Sequence, residues 1–286
     1  MELIPILIGV PALVAVIMPF LRGEKIRGIV VYAGSGAVMA VTVAVLGLWF
    51  NAGAGTQMMY VHTELIDHLM LVVDVFLMLL IVCLSFKHRK FLAALLSVIQ
   101  TVLLIYVEMT AQLPEAEHMM ADGLSMLMCL IVALVGGLIC IYAVGYMKGY
   151  HHHHKEFKDR QPFFFSMLFL FLAAMFGLVL SHNLIWMYFF WEITSVISFL
   201  LIGYTRTEEA IHNSFTALWM NLLGGLGFSV AIALLAFTNG TVQLSDAVAL
   251  GAALPLACLA LAGLTKSAQL PFSSWLLGAM VAPTPS

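Results

Sequence analysis

Two ionisable residues lie where a soluble protein would have no reason to hide them. Lys266 sits in the polar knot Thr265, Lys266, Ser267, Ala268, Gln269, with apolar sequence on both sides and Pro271 just beyond. Glu192 sits eight residues into an apolar run that starts at Leu184, beside Trp191 and on the helical face of Tyr188, Ser195 and Val196. Both lie in segments able to cross a bilayer, where a charge costs several kcal/mol, so each is a functional site by default. A lysine stripped of water holds its proton less tightly, and a nearby carboxylate restores the grip. A lysine–glutamate pair of this kind can therefore take up and release a proton. Pro271 lacks an N–H, and its ring crowds the carbonyl four residues back, at Ser267. That predicts a broken helix around the lysine, as at ion sites in transporters. The two residues are far apart in sequence, so contact between them is an expectation to be met by the fold.

Weaker candidates surround this pair. Asp74 lies about 10 Å into its span at the helical rise and can line a water path or bond locally. Glu108, near the end of its span, reads as interfacial. His212, Asn213 and Asn221 mark one helix, followed by Gly224, Gly225 and Gly227. Those glycines predict a close helix–helix approach, with Asn221 as a possible lining of a water path. His151 to His154 form a tract in a connector, read as solvated and only incidentally able to bind metal. No metal site is assigned, and no residue is given a catalytic role.

The elements that hold these residues follow from composition. Of 286 residues, 63% are hydrophobic and 9% charged, with mean hydropathy +1.05. Such a chain has too little polar surface to face water all round, so its surroundings are lipid. Apolar runs at about 3–21, 28–50, 67–86, 91–113, 123–147, 162–180, 184–204, 211–238 and 247–281 predict about nine spans of an all-α, polytopic transmembrane helical bundle, broken near Pro271. Eleven of the twelve basic residues fall in the connectors 22–27, 87–90, 148–161 and 205–210. The alternate connectors hold no Lys or Arg, and carry Glu64, Glu115, Glu117, Asp122 and Asp246. The positive-inside rule then puts the N-terminus outside, in a multi-pass protein of the cell's inner (cytoplasmic) membrane. The start of the chain, with Glu2 and no basic run, reads as a retained first span. The net charge of −3 argues against nucleic acid. Cys83, Cys129, Cys140 and Cys258 all lie in apolar runs without ligand spacing and read as small hydrophobes. No phosphate loop, Cys cluster or nucleophile–base arrangement appears, so no cofactor is expected in this chain and energy must come from a gradient or a partner.

Trp186 to Glu192, followed by Phe199 to Tyr204, resembles the fifth-helix signature of the antiporter-like subunits of respiratory complex I, Mrp sodium/proton antiporters and membrane-bound hydrogenases. Lys266 to Pro271, with Trp275 and Ala282 to Pro285, is similar to the family's broken seventh helix. Asp122 to Ser125, through Tyr142 to Met147, resembles its third. The resemblance covers about 122–286. It implies that Glu192 and Lys266 are the pair of the N-terminal proton half-channel, with Ser267 and Pro271 shaping the break. It divides the chain into N-terminal helices, 1–121, which include an extra pair at 67–113, and an antiporter-like core, 122–286. Thr216 and Leu222 stand where complex I versions usually carry basic residues, and Met220 to Gly225 looks closer to the Mrp and hydrogenase branches. The resemblance also implies an eighth helix and a second, inverted half beyond Ser286, supplied by a longer chain or a second polypeptide. The expected setting is a redox-driven pump, foremost an energy-converting nickel–iron hydrogenase, with other integral membrane subunits and a peripheral redox arm as partners. That arm would hold the nickel–iron centre and iron–sulphur clusters. The alternatives are an Mrp-type antiporter and a complex I-like dehydrogenase.

Overall fold

Backbone groups surrounded by hydrocarbon must be satisfied within their own segment, and long apolar runs without β-branched alternation meet that demand as helices. The computed structural model describes residues 4–61, 64–111, 113 and 117–286, so Glu2 and Glu115, and the side chain of Glu64, lie outside the described residues. Helix α1 (Ile4–Ile17) ends in a 3₁₀ turn and is followed by α2 (Glu24–Asn51), α3 (Glu64–His88) and α4 (Phe91–Thr110). Next come α5 (Gly123–Ile131) and α6 (Gly137–His153), joined through a π-turn at Val132–Gly136 into one rod. Helices α7 (Gln161–Leu180), α8 (Leu184–Ile202) and α9 (Glu208–Asn239) form the centre. Among the described residues, seven helices are long and apolar enough to cross a membrane, and Ile4–Phe20 and Ala253–Lys266 are two shorter apolar segments. The expected all-α, polytopic bundle is what forms, with seven full-length helices and two shorter ones where about nine spans were expected.

Caps fix where the helices begin. The Asp122 carboxylate accepts from Ser125 N at 2.7 Å, Asn183 from Ile185 N at 2.8 Å, and the Thr207 hydroxyl from Ala210 N at 3.2 Å. Helix α9 stops at Gly240, whose φ of 65° only glycine adopts freely.

The bundle has two chemically distinct ends. At one, strands β1 (Gln57–Met59) and β2 (Met119–Ala121) pair antiparallel, a small sheet that hydropathy did not predict. Single bridges join Met119 to Ser181 and Asn183 to Gln243. These links gather the connectors that hold no Lys or Arg. At the other end Lys148 meets Glu24 at 3.4 Å, Arg160 lies over the Tyr204 ring, and buried Arg27 donates to Gln161 Oε1 at 2.7 Å. We call these the acidic and basic ends.

The segment expected as one broken helix at 247–281 is more divided. A short α10 (Leu244–Ala249) precedes α11 (Ala253–Lys266), and after a non-helical stretch α12 (Ser274–Gly278) resumes. Helix α11 packs along α9, and so does α4 from another side.

Candidate functional site

The break falls on the lysine itself, and its cause differs from the one expected. Helix α11 ends at Lys266, well short of the proline. Ala268 takes a left-handed φ of 53°. Gln269 N then donates to Leu264 O at 3.0 Å and Ala268 N to Thr265 O at 3.2 Å, the paired bonds of a Schellman cap. Thr265 O accepts a second bond from Trp275 Nε1 at 3.0 Å, so α12 folds back to satisfy the frayed end. Pro271 keeps the helix from resuming at once but does not itself end it. Ser267 is exposed and donates to Gly263 O at 2.7 Å, a local bond that leaves its hydroxyl turned away from the pair. Lys266 thus stands at the negative end of a helix dipole, which favours its charge.

Its ammonium reaches across to α8. Nζ donates to Ser195 Oγ at 2.7 Å and to the Trp191 carbonyl at 3.3 Å, and lies 5.0 Å from the centre of the Trp191 ring. The contact is possible because α9 is narrow at this level. A Cβ on Gly224 would strike Thr265 of α11, and one on Gly227 would lie 3.2 Å from Cys258 O. The glycines serve the close approach the sequence predicted.

Glu192 is buried, 5% exposed, one turn before Ser195 on the same helix. It makes no ion pair with Lys266 within 4.0 Å. Its Oε1, the hydroxyl of Tyr188 (2% exposed) and the amide of Gln100 (1% exposed) lie within reach of one another but make no hydrogen bond of good geometry. A Cβ on Gly225 would approach Glu192 Oε1 at 2.8 Å and Gln100 Oε1 at 2.7 Å, which puts all three side by side. Asp74, on α3, lines the same cavity as Tyr188 and Glu192.

Two further candidates lie apart or only nearby. Exposed His212 is at the basic end, its Nδ1 3.3 Å from Lys90 Nζ, and does not join the pair. Asn221 is buried one turn before Gly225, donates to Ala217 O at 2.8 Å and leaves Oδ1 unpartnered. In the histidine tract, His151 Nε2 is 2.9 Å from Tyr204 Oη and His154 Nδ1 3.0 Å from Glu156. Among the described residues no group of three or more His, Cys, Asp or Glu side chains is arranged to hold a metal ion.

The sequence reading placed a span at 91–113 and named Glu108 on it, but missed the polar face of α4. Ser97, Gln100, Thr101 and Glu108 recur at helical spacing on an otherwise apolar span, and that stripe is the signal that would have found them. Gln100 touches the site and Glu108, read as interfacial, reaches its cavity while remaining exposed.

Comparison with known proteins bears on what this arrangement belongs to. Residues 181–286 match the family described as NADH:quinone oxidoreductase/Mrp antiporter, transmembrane. Residues 117–157 match the N-terminus of chain 5 of NADH-ubiquinone oxidoreductase (complex I). Within these segments the chain is similar to antiporter-like membrane subunits. It is 38% identical over 173 residues to a putative antiporter subunit mnhA2 of Staphylococcus aureus (strain JH9), covering 57% of this chain and 21% of the relative. It is 37% identical over 173 residues to Na(+)/H(+) antiporter subunit A1 of Staphylococcus haemolyticus (strain JCSC1435), covering 57% and 20%. The match thus spans about a fifth of the length of these relatives. Two solved structures share the fold. One is the membrane-bound sulfane sulfur reductase, an archaeal respiratory membrane complex, with TM-score 0.72, 15% identity, and coverage of 100% of this chain and 49% of that one. The other is the Mrp complex from Dietzia sp. DQ12-45-1b, with TM-score 0.67, 22% identity, and coverage of 99% and 25%.

Proposed function

We propose that this antiporter-like subunit carries protons through Lys266 and Glu192, as part of a multisubunit sodium/proton antiporter of Mrp type in the cytoplasmic membrane. The observation that carries the reading is the reach of Lys266 across to α8, where it bonds Ser195 and the Trp191 carbonyl one turn from Glu192. A lysine held by neutral oxygens, beside a carboxylate it has not paired with, has two alternative sets of partners. Swinging toward Glu192 strengthens its hold on the proton, and retreat to Ser195 weakens it. The matched antiporter subunits support the Mrp setting. Other integral membrane subunits and the lipid bilayer are then its partners, and the N-terminus faces outward with the acidic end.

A redox-driven setting, including the nickel–iron hydrogenase expected from the sequence, is the second reading. The fold shared with an archaeal respiratory membrane complex favours it. Purification of the native assembly separates the two. Further small antiporter subunits support the first, and iron–sulphur or hydrogenase proteins of a peripheral arm support the second.

Transport measured on that assembly tests the shared core of both readings. Lys266→Ala abolishes proton movement and Glu192→Gln weakens it, while the amount of assembled complex is followed in parallel. Normal transport in both variants rules the pair out.

A further inference from the structure

Helices α3 and α4 each turn a line of mixed polar and apolar residues toward α8. On α3 the line runs Asp67, Leu71, Asp74, Met78, and on α4 Ser97, Thr101, Leu104, Glu108, both at spacings of three and four residues. Between them and α8 is a cavity of about 10 Å³, lined among others by Asp74, Ser97, Thr101, Glu108, Tyr188 and Glu192. That is the smallest space that admits one water. The cavity wall holds polar atoms without a hydrogen bond of good geometry: Asp74 Oδ1, and Tyr188 Oη and Glu192 Oε1, which lie within reach of each other. Tyr188 and Glu192 are 2% and 5% exposed, so bulk water does not satisfy them. A buried polar group without a partner costs about 1–3 kcal/mol. Water is the ligand able to meet all three, because it both donates and accepts.

Depth orders these groups. At 1.5 Å per residue, measured from the acidic end of its own helix, Glu108 lies about 3 Å in, Glu192 about 12 Å, Asp74 about 15 Å and Lys266 about 20 Å. Exposed Asp67, which accepts from Trp186 Nε1 at 2.9 Å, sits near the same end. Toward the basic end Leu80, Ala93 and Leu96 pack against Phe199 and Phe215 and separate Glu192 from a cavity of about 390 Å³ lined by Lys87, His88, Arg160 and Arg206, with Ser85 of α3 buried and unbonded on that side.

We infer that the α3–α4 pair forms a water-filled proton route from the acidic end of the bundle to Glu192, with Glu108 at its mouth and Asp74 beside its inner end. The inference rests on the reading of Glu192 and Lys266 as the proton-holding pair. It gives the two helices that precede the antiporter-like core a role, which is to connect that pair to one side of the membrane.

The test uses the assembled complex with Cys83, Cys129, Cys140 and Cys258 replaced by Ala. Thr101→Cys places a thiol in the cavity, and silver ion, small enough to follow a file of waters, is added from one face at a time, with the mass of the silver–thiolate chain as readout. Modification at least about tenfold faster from the acidic-end face is expected, since permeation through a wet route outpaces permeation through packed leucines. Asp74→Asn lowers proton transport at least about tenfold and Asp74→Glu recovers most of it, as expected of a relay carboxylate. Modification from the basic-end face alone, modification from neither face, or wild-type transport by Asp74→Asn overturns the route. Loss of transport in Lys266→Ala alongside any of these leaves the Glu192–Lys266 reading standing. One-sided modification of the Thr101→Cys variant together with normal transport in Lys266→Ala keeps the water route and removes the pair.

Discussion

Lys266 donates to Ser195 Oγ at 2.7 Å while Glu192, one turn earlier on the same helix, stands without an ion partner. The lysine therefore rests on a hydroxyl, with the carboxylate within reach of a side-chain swing. Hydrogen bonds to a charged group contribute about 1.5–3 kcal/mol, and Ser195→Ala removes one from the resting arrangement alone. The variant shifts the lysine toward Glu192 and slows proton release. Transport falls by about tenfold, the equivalent of about 1.4 kcal/mol, and is not abolished. Ser195→Thr, which keeps the hydroxyl, retains most of the rate. A Ser195→Ala variant as inactive as Lys266→Ala would place Ser195 in the path itself.

Gly224 sets how closely α11 approaches α9. A methyl group there runs into Thr265, which also donates to Ala262 O at 2.7 Å and is fully buried. Overpacking of this kind costs about 1–3 kcal/mol. Gly224→Ala lowers the thermal midpoint of the assembled protein and slows transport, because Lys266 is carried away from α8 with its helix. Gly263→Ala, where a Cβ meets nothing within 4 Å, is the matched control and changes neither.

The acidic end answers to pH through histidine. His182, in the connector between α7 and α8, sits 3.1 Å from Ser245 Oγ, and its carbonyl accepts from Leu244 N at 3.1 Å. Burial holds it below the ordinary imidazole value of 6.5, and His118, whose ring lies tilted against Trp186 at 4.9 Å, shifts the same way for the same reason. A histidine with a depressed folded value binds fewer protons folded than unfolded. Its contribution to stability is therefore full above pH 6.5 and declines as the pH drops below it. Protease cleavage at the 181–183 and 239–246 connectors accelerates on acidification, and His182→Gln flattens that response. A cleavage rate independent of pH contradicts the assignment.

Topology follows from the segregation of charge. Cysteines at Ala54 and Leu113 label from outside the cell and one at Gly149 from inside. Mixed labelling of Ala54 and Leu113 breaks the span assignment, and a clean reversal inverts the orientation.

Much of this was readable before any coordinates, for identifiable reasons. The lengths of α2 to α9 follow from apolar runs, and lipid leaves a backbone no alternative to the helix. Glu192 and Lys266 stand out because charge is so rare around them. What sequence could not supply was the partner of each. The pairing of Lys266 with Ser195 rather than Glu192 depends on a Schellman cap at Ala268, a non-glycine residue in a left-handed conformation that local propensity disfavours. Gln100 escaped because a single amide in an apolar helix is unremarkable until its neighbours on α8 and α9 are known. His212 drew notice as a histidine in a span, yet it lies at the basic end beside Lys90, where one more helical turn than expected carries α9 to its start at Glu208.

The central claim is that Lys266 holds the transported proton. Its most direct test is proton flux into sealed vesicles containing the assembled complex with Lys266→Ala, scaled to the amount of complex present. Lys266→Arg, which restores charge but not an exchangeable proton, is measured beside it and recovers no more than a small fraction of the wild-type flux. For Lys266→Ala the account predicts normal assembly with flux at the background of empty vesicles. Flux in Lys266→Ala equal to wild type contradicts it.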